Sequence, residues 1–96
     1  MHVRKKILVI DKADNVGVAL IALKAGEEIE YLNGSIKVKN DIPSGFKVAL
    51  KNIIKGDPVI KYGETIGISS QNIICGEKVH VHNCQSQRGR GDIKEK

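Results

Sequence analysis

Apolar residues in the first third of the chain follow two different spacings. Residues 3–10 pass from basic to apolar side chains and predict a first strand. Three apolar residues then follow at spacings of four and three, which place them on one helical face: Val16, Leu20 and Leu23. Asp14 and Asn15 precede this segment as N-cap candidates, and Gly26 follows it as a C′ glycine. This part of the chain therefore predicts one short helix.

From residue 27 onward, short β-branched runs are separated by Gly, Pro, Asn and Asp. The Asn33-Gly34 pair predicts a hairpin. Strands are predicted at 28–32, 35–39, 46–50, 58–61, 64–68 and 78–82. A shared pattern of an apolar residue, a glycine three positions later, an acid and a β-branched residue occurs in 23–29, 53–59 and 73–79. Each copy predicts a turn with a left-handed glycine that leads into a strand, so the predicted fold class is mainly β.

Composition limits the partners that this fold could have. A length of 96 residues allows one domain with a modest core. The aromatic share is only 3%, which is too low for a base-stacking surface, and most lysines are scattered singly, so no nucleic acid is expected as partner despite the net charge of +5. No apolar run approaches the ~20 residues that span a membrane, and the apolar run at 7–10 is too short for a signal peptide. We therefore expect a cytoplasmic protein with reduced cysteines.

The end of the chain differs in composition from the rest. Residues 84–96 contain a single aliphatic side chain, Ile93, together with several charged residues. Such a segment cannot bury enough apolar surface to order itself. The sequence therefore predicts a folded domain over residues 1–83 and a flexible basic tail over 84–96.

His80 and His82 are the first candidates for chemistry. Residues two apart in a strand present their side chains on the same face, and residues 78–82 are predicted as a strand. Two imidazoles on one face could hold a divalent metal such as Zn²⁺ or Fe²⁺, or could act in acid–base catalysis. An exposed histidine pair without any ligand is the more frequent outcome of this spacing.

Other polar residues have a functional and a structural interpretation. Lys61 could pair with a substrate carboxylate, or it could be a solvated lysine on an edge strand. Asn83 could orient a substrate hydroxyl, or it could cap the end of a strand. For Asp14 and Asn15 the capping role is favoured over a site role, because these residue types are preferred at helix N-caps.

Five segments of the chain, taken in order, resemble a known family. They are residues 14–20, 42–50, 56–63, 66–67 and 76–83. Within them, Val-Ile-Lys-Tyr-Gly at 59–63 and Val-His-Val-His-Asn at 79–83 are the specific stretches. Together they resemble the N-terminal SAF domain of the altronate and galactarate dehydratase family, over residues 5–83. The resemblance implies a β-clip fold.

The resemblance also implies a function that needs a second component. Family members convert a sugar acid to a 2-keto-3-deoxy acid and water, with a divalent metal, typically Fe²⁺, held mainly by a large catalytic part. A chain that ends at residue 96 fits the arrangement in which the SAF domain is a separate small subunit, inactive alone. It would contribute His80 and His82 as acid–base groups or ligands, and Lys61 and Asn83 as substrate contacts.

Two alternatives and one departure accompany this expectation. Sulfolactate sulfo-lyase has a similar small subunit and eliminates sulfite, and related domains also serve as non-catalytic carbohydrate-binding or interaction modules. The family usually has histidine before the lysine of the Lys-x-Ala-Leu stretch, whereas this chain has Phe46 there. If that histidine acts on substrate or metal, the protein has lost the function or takes another substrate.

Overall fold

The computed structural model describes residues 5–31 and 34–86, and its regular structure there consists of strands alone. The nine strands are β1 (Ile7–Leu8), β2 (Val16–Ala19), β3 (Glu28–Tyr31), β4 (Gly34–Lys37), β5 (Lys47–Ala49), β6 (Pro58–Lys61), β7 (Glu64–Ser69), β8 (Lys78–Val79) and β9 (Cys84–Ser86). The mainly β prediction is confirmed. Among the described residues there is no helix that is long and apolar enough to cross a membrane.

The strands form three small antiparallel sheets. The largest has the order β1-β2-β5-β8, the second is the hairpin β3-β4, and the third has the order β6-β7-β9. In the hairpin, Tyr31 pairs with Gly34, which confirms the hairpin predicted from Asn33-Gly34, although Asn33 itself lies outside the described residues. In the third sheet, a register shift between Val59 and Ile60 marks a bulge.

The predicted helix over residues 16–23 is wrong. Val16 to Ala19 form the inner strand β2, which is hydrogen-bonded to β1 on one side and to β5 on the other. A strand that is buried on both faces loses the alternation of apolar and polar residues, so its spacing can match a helical face by coincidence. The exposure of Leu20, at 41%, shows that the three apolar residues do not share a buried face.

The glycine turns predicted at three places occur at four. All four glycines have a positive φ between 91° and 94°: Gly26, Gly45, Gly56 and Gly76. Each turn is closed by a reciprocal backbone pair; at Gly76, for example, the amide donates to the Ala49 carbonyl, and the Ala49 amide donates to the Glu77 carbonyl. The Gly45 turn does not match the shared sequence pattern, because Phe46 occupies the position at which the other three turns have an acidic residue.

The buried side chains form two clusters, which we call the first and second core clusters. The first contains Ile7, Ala19, Leu23, Ile29, Ile36, Val38, Ile42, Val48 and Leu50. The second contains Val16, Ala49, Ile53, Val59, Ile73 and Val79. Strands β2 and β5 each contribute to both clusters, so the two halves of the core share their central strands.

The C-terminal region begins differently from its prediction. Strand β8 ends at Val79 rather than residue 82, and residues 84–86, assigned to the tail, form β9 against β7. Residues 87–96 lie outside the described residues, so the flexibility of the rest of the tail stays a prediction.

Candidate functional site

Residues 80–83 form a turn that is held together by Asn83. The Asn83 Oδ1 atom accepts a hydrogen bond from the His80 amide at 2.9 Å, and its Nδ2 atom donates to the Lys78 carbonyl at 2.9 Å. The amides of Asn83 and Cys84 both donate to the His80 carbonyl, at 3.0 and 2.9 Å. Asn83 is only 3% exposed. Its side chain therefore fixes the turn, which corresponds to the capping interpretation of this residue.

His80 and His82 lie in this 80–83 turn and not in a strand. The prediction that a common strand places them on one face is therefore wrong, because β8 ends before either residue. Both residues are exposed. Through its backbone carbonyl, His82 accepts a hydrogen bond from Gln71 Nε2 at 3.1 Å. The turn therefore places both histidines at the surface of the domain.

Phe46 is the neighbour of His80. The two rings are in edge contact, with centroids 4.8 Å apart and planes at 62°. The ammonium of Lys78 lies 5.3 Å from the centroid of the Phe46 ring. Position 46 is the one at which the family resemblance implies histidine, and a histidine there would place a second imidazole beside His80. In this chain the neighbour is apolar and packs against the first core cluster.

Lys61 precedes a two-residue hairpin turn between β6 and β7. Tyr62 and Gly63 have φ values of 56° and 80°, the positive values that a type I′ turn requires at both central positions. Tyr62 is the non-glycine residue in this left-handed conformation, which normally favours glycine or asparagine. Its ring lies beneath the Lys61 ammonium, 5.0 Å from the centroid. The turn thus places the Lys61 ammonium in a cation–π contact with Tyr62.

Asp14 anchors the same hairpin turn from the loop before β2. The Gly63 amide donates to Asp14 Oδ1 at 2.8 Å, and the Ile10 and Asp11 amides donate to Oδ2 at 3.2 and 3.1 Å. Burial favours the neutral carboxyl, but these donors and the Tyr62 amide outweigh it and lower the pKa of Asp14 below its ordinary value. Asp14 was predicted as a helix N-cap, and it instead binds backbone amides of two turns.

Asn15 joins β2 to β6. Its Oδ1 atom accepts from the Ile60 amide at 2.7 Å, and its Nδ2 atom donates to the Pro58 carbonyl at 2.9 Å. The Asn15 amide also donates to the Ile60 carbonyl at 3.1 Å. These bonds fix β6, and with it Lys61, against the central sheet.

Three of the four predicted site residues, His80, His82 and Asn83, share the 80–83 turn, whereas Lys61 lies on β6. Lys61 lies two residues after Val59 of the second core cluster and shares its side of β6. His80 contacts Phe46, which packs against the first cluster. Among the described residues, no hydrogen bond, ion pair or ring contact joins Lys61 to the 80–83 turn.

The described part of this chain does not form a complete metal centre by itself. No three His, Cys, Asp or Glu side chains in residues 5–31 and 34–86 are placed to hold a metal ion together. Structural and catalytic metal sites in proteins take three or four such ligands. Cys75 and Cys84 are free thiols, as expected of reduced cysteines, and burial raises the pKa of each.

Lys47 is a partly buried lysine that its sequence neighbours do not distinguish from the other scattered lysines. Strand β5 places it beside the second core cluster. Burial lowers the pKa of its ammonium, and the positive charge of Lys61 lowers it further. The sequence feature that could have indicated its partial burial is its position two residues before Ala49, which places both side chains on one face of β5.

The small antiparallel domain, with its glycine turns and its exposed histidine turn, has clear relatives. Residues 5–87 match the family described as the altronate/galactarate dehydratase SAF domain. The chain belongs to this family, which confirms the resemblance seen in the sequence.

Individual relatives are lyases of two kinds. The chain is 44% identical to an altronate dehydratase of Bacillus subtilis and 42% identical to one of Escherichia coli, over 85% and 80% of its own length. It covers only 16% of either dehydratase. It is 35% identical to the (2R)-sulfolactate sulfo-lyase subunit alpha of Chromohalobacter salexigens, over 84% of its own length and 94% of that subunit.

Proposed function

We propose that the chain is a small accessory subunit of a sugar-acid dehydratase of the altronate type, acting with a separate large catalytic subunit. The observation that carries the proposal is the match of residues 5–87 to the dehydratase SAF family, together with relatives that are lyases. Because the chain corresponds to 16% of those dehydratases, the large subunit would hold most of the catalytic groups and the divalent metal, Fe²⁺ in this proposal.

The second candidate is a sulfolactate sulfo-lyase small subunit. The match to 94% of one alpha subunit, at 35% identity, favours it. Both reactions begin by removing the proton next to a carboxylate. The hydroxyl then leaves the neighbouring carbon of the sugar acid as water, whereas sulfite leaves that of sulfolactate, and the resulting enol becomes a keto acid.

In this proposal the 80–83 turn contributes the acid–base group. His80 and His82 are exposed on the turn, and imidazole is the side chain that most often serves as a general acid or base. Asn83 acts as a positioning residue, because its amide fixes the backbone at His80. Lys61 pairs with the carboxylate as a point charge. No step of the proposal uses a metal bound to this chain.

The test is turnover by the complex purified from the source organism through a tag on this chain. The sugar acid altronate and (2R)-sulfolactate are supplied separately, and keto acid and sulfite are measured. We expect keto acid from altronate and a fall in kcat for His80→Ala or His82→Ala. Val81→Ala is the matched control, because Val81 lies in the same turn and is 78% exposed.

Each outcome has a defined meaning. Sulfite release with no altronate turnover would favour the sulfo-lyase. Turnover that is unchanged in both histidine variants would remove the catalytic assignment of the turn. A purified chain without a large partner and without activity on either acid would contradict the subunit proposal and leave the binding-module alternative.

A further inference from the structure

The two histidines of the 80–83 turn differ in how they are held. The His80 amide donates to Asn83 Oδ1 at 2.9 Å, and its carbonyl accepts from the amides of Asn83 and Cys84 at 3.0 and 2.9 Å. His82 accepts a hydrogen bond through its carbonyl, from Gln71 Nε2 at 3.1 Å. In the part of the chain that the structure describes, the His82 side chain has no hydrogen bond, ion pair or ring contact.

The His80 side chain, in contrast, meets Phe46, and the sheet register brings the two together. Lys47 of β5 lies opposite Val79 of β8, and the same antiparallel register, continued by one residue, places Phe46 opposite His80. Directly opposed residues have side chains close enough to interact. The two rings meet edge-on, with centroids 4.8 Å apart and planes at 62°.

Phe46 is itself firmly held. Its amide donates to the Pro43 carbonyl at 3.2 Å, and its carbonyl accepts from the Ala19 amide at 2.8 Å. Its side chain is half-buried and packs against the first core cluster. The Lys78 ammonium lies 5.3 Å from the centroid of its ring, in a cation–π contact. Phe46 is thus a fixed aromatic surface for the exposed His80 ring.

Such a surface restricts the imidazole that lies against it. An exposed side chain without contacts exchanges rapidly among its rotamers, whereas an edge contact between aromatic rings favours one arrangement by about 2- to 10-fold. A general acid or base must lie within hydrogen-bond reach of the proton that it transfers, so a preferred orientation raises the productive fraction. The Phe46 contact therefore distinguishes two histidines of identical chemistry.

We propose that Phe46 is a positioning residue that orients the His80 imidazole, and that His80, rather than His82, is the acid–base group of the turn. The catalytic half of this inference rests on the proposed function. The ring orientation does not, because contacts within this chain set it.

The orientation is tested by NMR on the full chain without a partner. Side-chain order parameters are measured for His80, with His82 as the internal reference, together with nuclear Overhauser effects between the His80 and Phe46 rings. We expect these ring contacts and a higher order parameter for His80 than for His82. Two equally mobile imidazoles in the parent chain would overturn the proposal, whatever the variants show.

Substitutions at Phe46 separate the ring contact from the packing. Phe46→Leu keeps an apolar side chain against the first core cluster but removes the ring, whereas Phe46→Tyr keeps the ring. The His80 order parameter should fall toward that of His82 in Phe46→Leu and stay at the parent value in Phe46→Tyr. Ile36→Val is the control, because it shortens a side chain of the same cluster that offers no ring to His80. An equal loss of His80 order in Ile36→Val would contradict the positioning role.

The catalytic half is tested by kinetics of the tagged complex. Because Phe46 acts through His80 and not on substrate, Phe46→Leu should lower kcat about 2- to 10-fold with KM unchanged, and Phe46→Tyr should restore kcat. His80→Ala should lower kcat further, and adding Phe46→Leu to it should have no additional effect. His82→Ala should retain the parent kcat. A larger fall in kcat for His82→Ala than for His80→Ala would overturn the assignment.

The two experiments separate this inference from the proposed function. If the NMR results agree but the complex is inactive on both acids, the orientation of His80 stands, while its catalytic assignment falls with the dehydratase proposal. If the complex turns over altronate and Phe46→Leu retains the parent kcat, the proposed function stands and the positioning role of Phe46 is wrong.

Discussion

A single carboxylate, Asp14, ties two stretches of backbone together. It accepts amides from the loop before β2 and from the β6–β7 turn while only 4% exposed. In Asp14→Asn one oxygen becomes an amide donor that faces N–H groups, so buried donors lose their acceptor. We expect a loss of about 1–3 kcal/mol in the free energy of unfolding at neutral pH. Urea denaturation of both proteins measures it.

The same carboxylate predicts a pH dependence. The pKa of Asp14 is lower in the folded chain than its ordinary value of 3.8. Its stabilising effect is therefore complete above that value and is lost as the pH falls through the folded pKa. The stability difference between the parent and Asp14→Asn should shrink in that acidic range. Asp57→Asn is the control, since Asp57 is exposed, and an equal loss in both variants would contradict the role of Asp14.

At the residue scale, the sequence identified polar side chains but not their partners. Asp14 and Asn15 were predicted as N-caps of a helix that the structure does not form at residues 16–19, although both side chains do bind backbone amides. Asp14 binds the nearby Ile10 and Asp11 amides, but the other amides that the two residues bind are 45 and 49 positions away, which local spacing cannot reveal. Likewise, the half-burial of Lys47 depends on the pairing of β5 with β2 and β8, and not on its sequence neighbours.

At the scale of elements, the four glycine turns are similar in conformation but differ in their surroundings. Gly56 and Gly76 both have φ of 94°. A methyl group on Gly56 would meet nothing within 4 Å, whereas one on Gly76 would collide with the Lys37 carbonyl oxygen. The two positions therefore separate the cost of the left-handed backbone from the cost of a steric collision.

Alanine substitutions at these two glycines should thus have unequal effects. Gly56→Ala should cost about 1–2 kcal/mol, the usual penalty for a side chain in the left-handed region. Gly76→Ala should cost clearly more, because the Lys37 backbone must also move. Chemical denaturation of the two variants measures the difference. Equal losses of stability would mean that the backbone around Lys37 shifts without measurable cost.

The elements that the sequence predicted well are those bounded by local turn signals. Strand β6 has its predicted limits, and the β3–β4 hairpin follows from Asn33-Gly34. Strand β2 was missed because its burial comes from the strands on both sides, one of which, β5, is distant in sequence. The end of β8 was misplaced because Asn83, and not a glycine or proline, turns the chain at His80. The β-clip fold was implied by the family resemblance alone, and it stays a prediction.

At the scale of the whole molecule, the two core clusters should unfold together. Strand β2 places Val16 in the second cluster and Ala19 in the first, and β5 does the same with Ala49 and Val48. Neither cluster can open without breaking a strand that also supports the other. A small domain built in this way is expected to unfold in a single cooperative transition.

Conservative truncations in each cluster test this expectation. Ile36→Val in the first cluster and Ile73→Val in the second should each cost about 0.5–1.5 kcal/mol. Amide hydrogen exchange is measured residue by residue under conditions where exchange requires global unfolding. In both variants, the free energy of opening should fall by the same amount at β3 and at β6. A loss confined to the cluster that carries the substitution would mean that the halves open separately.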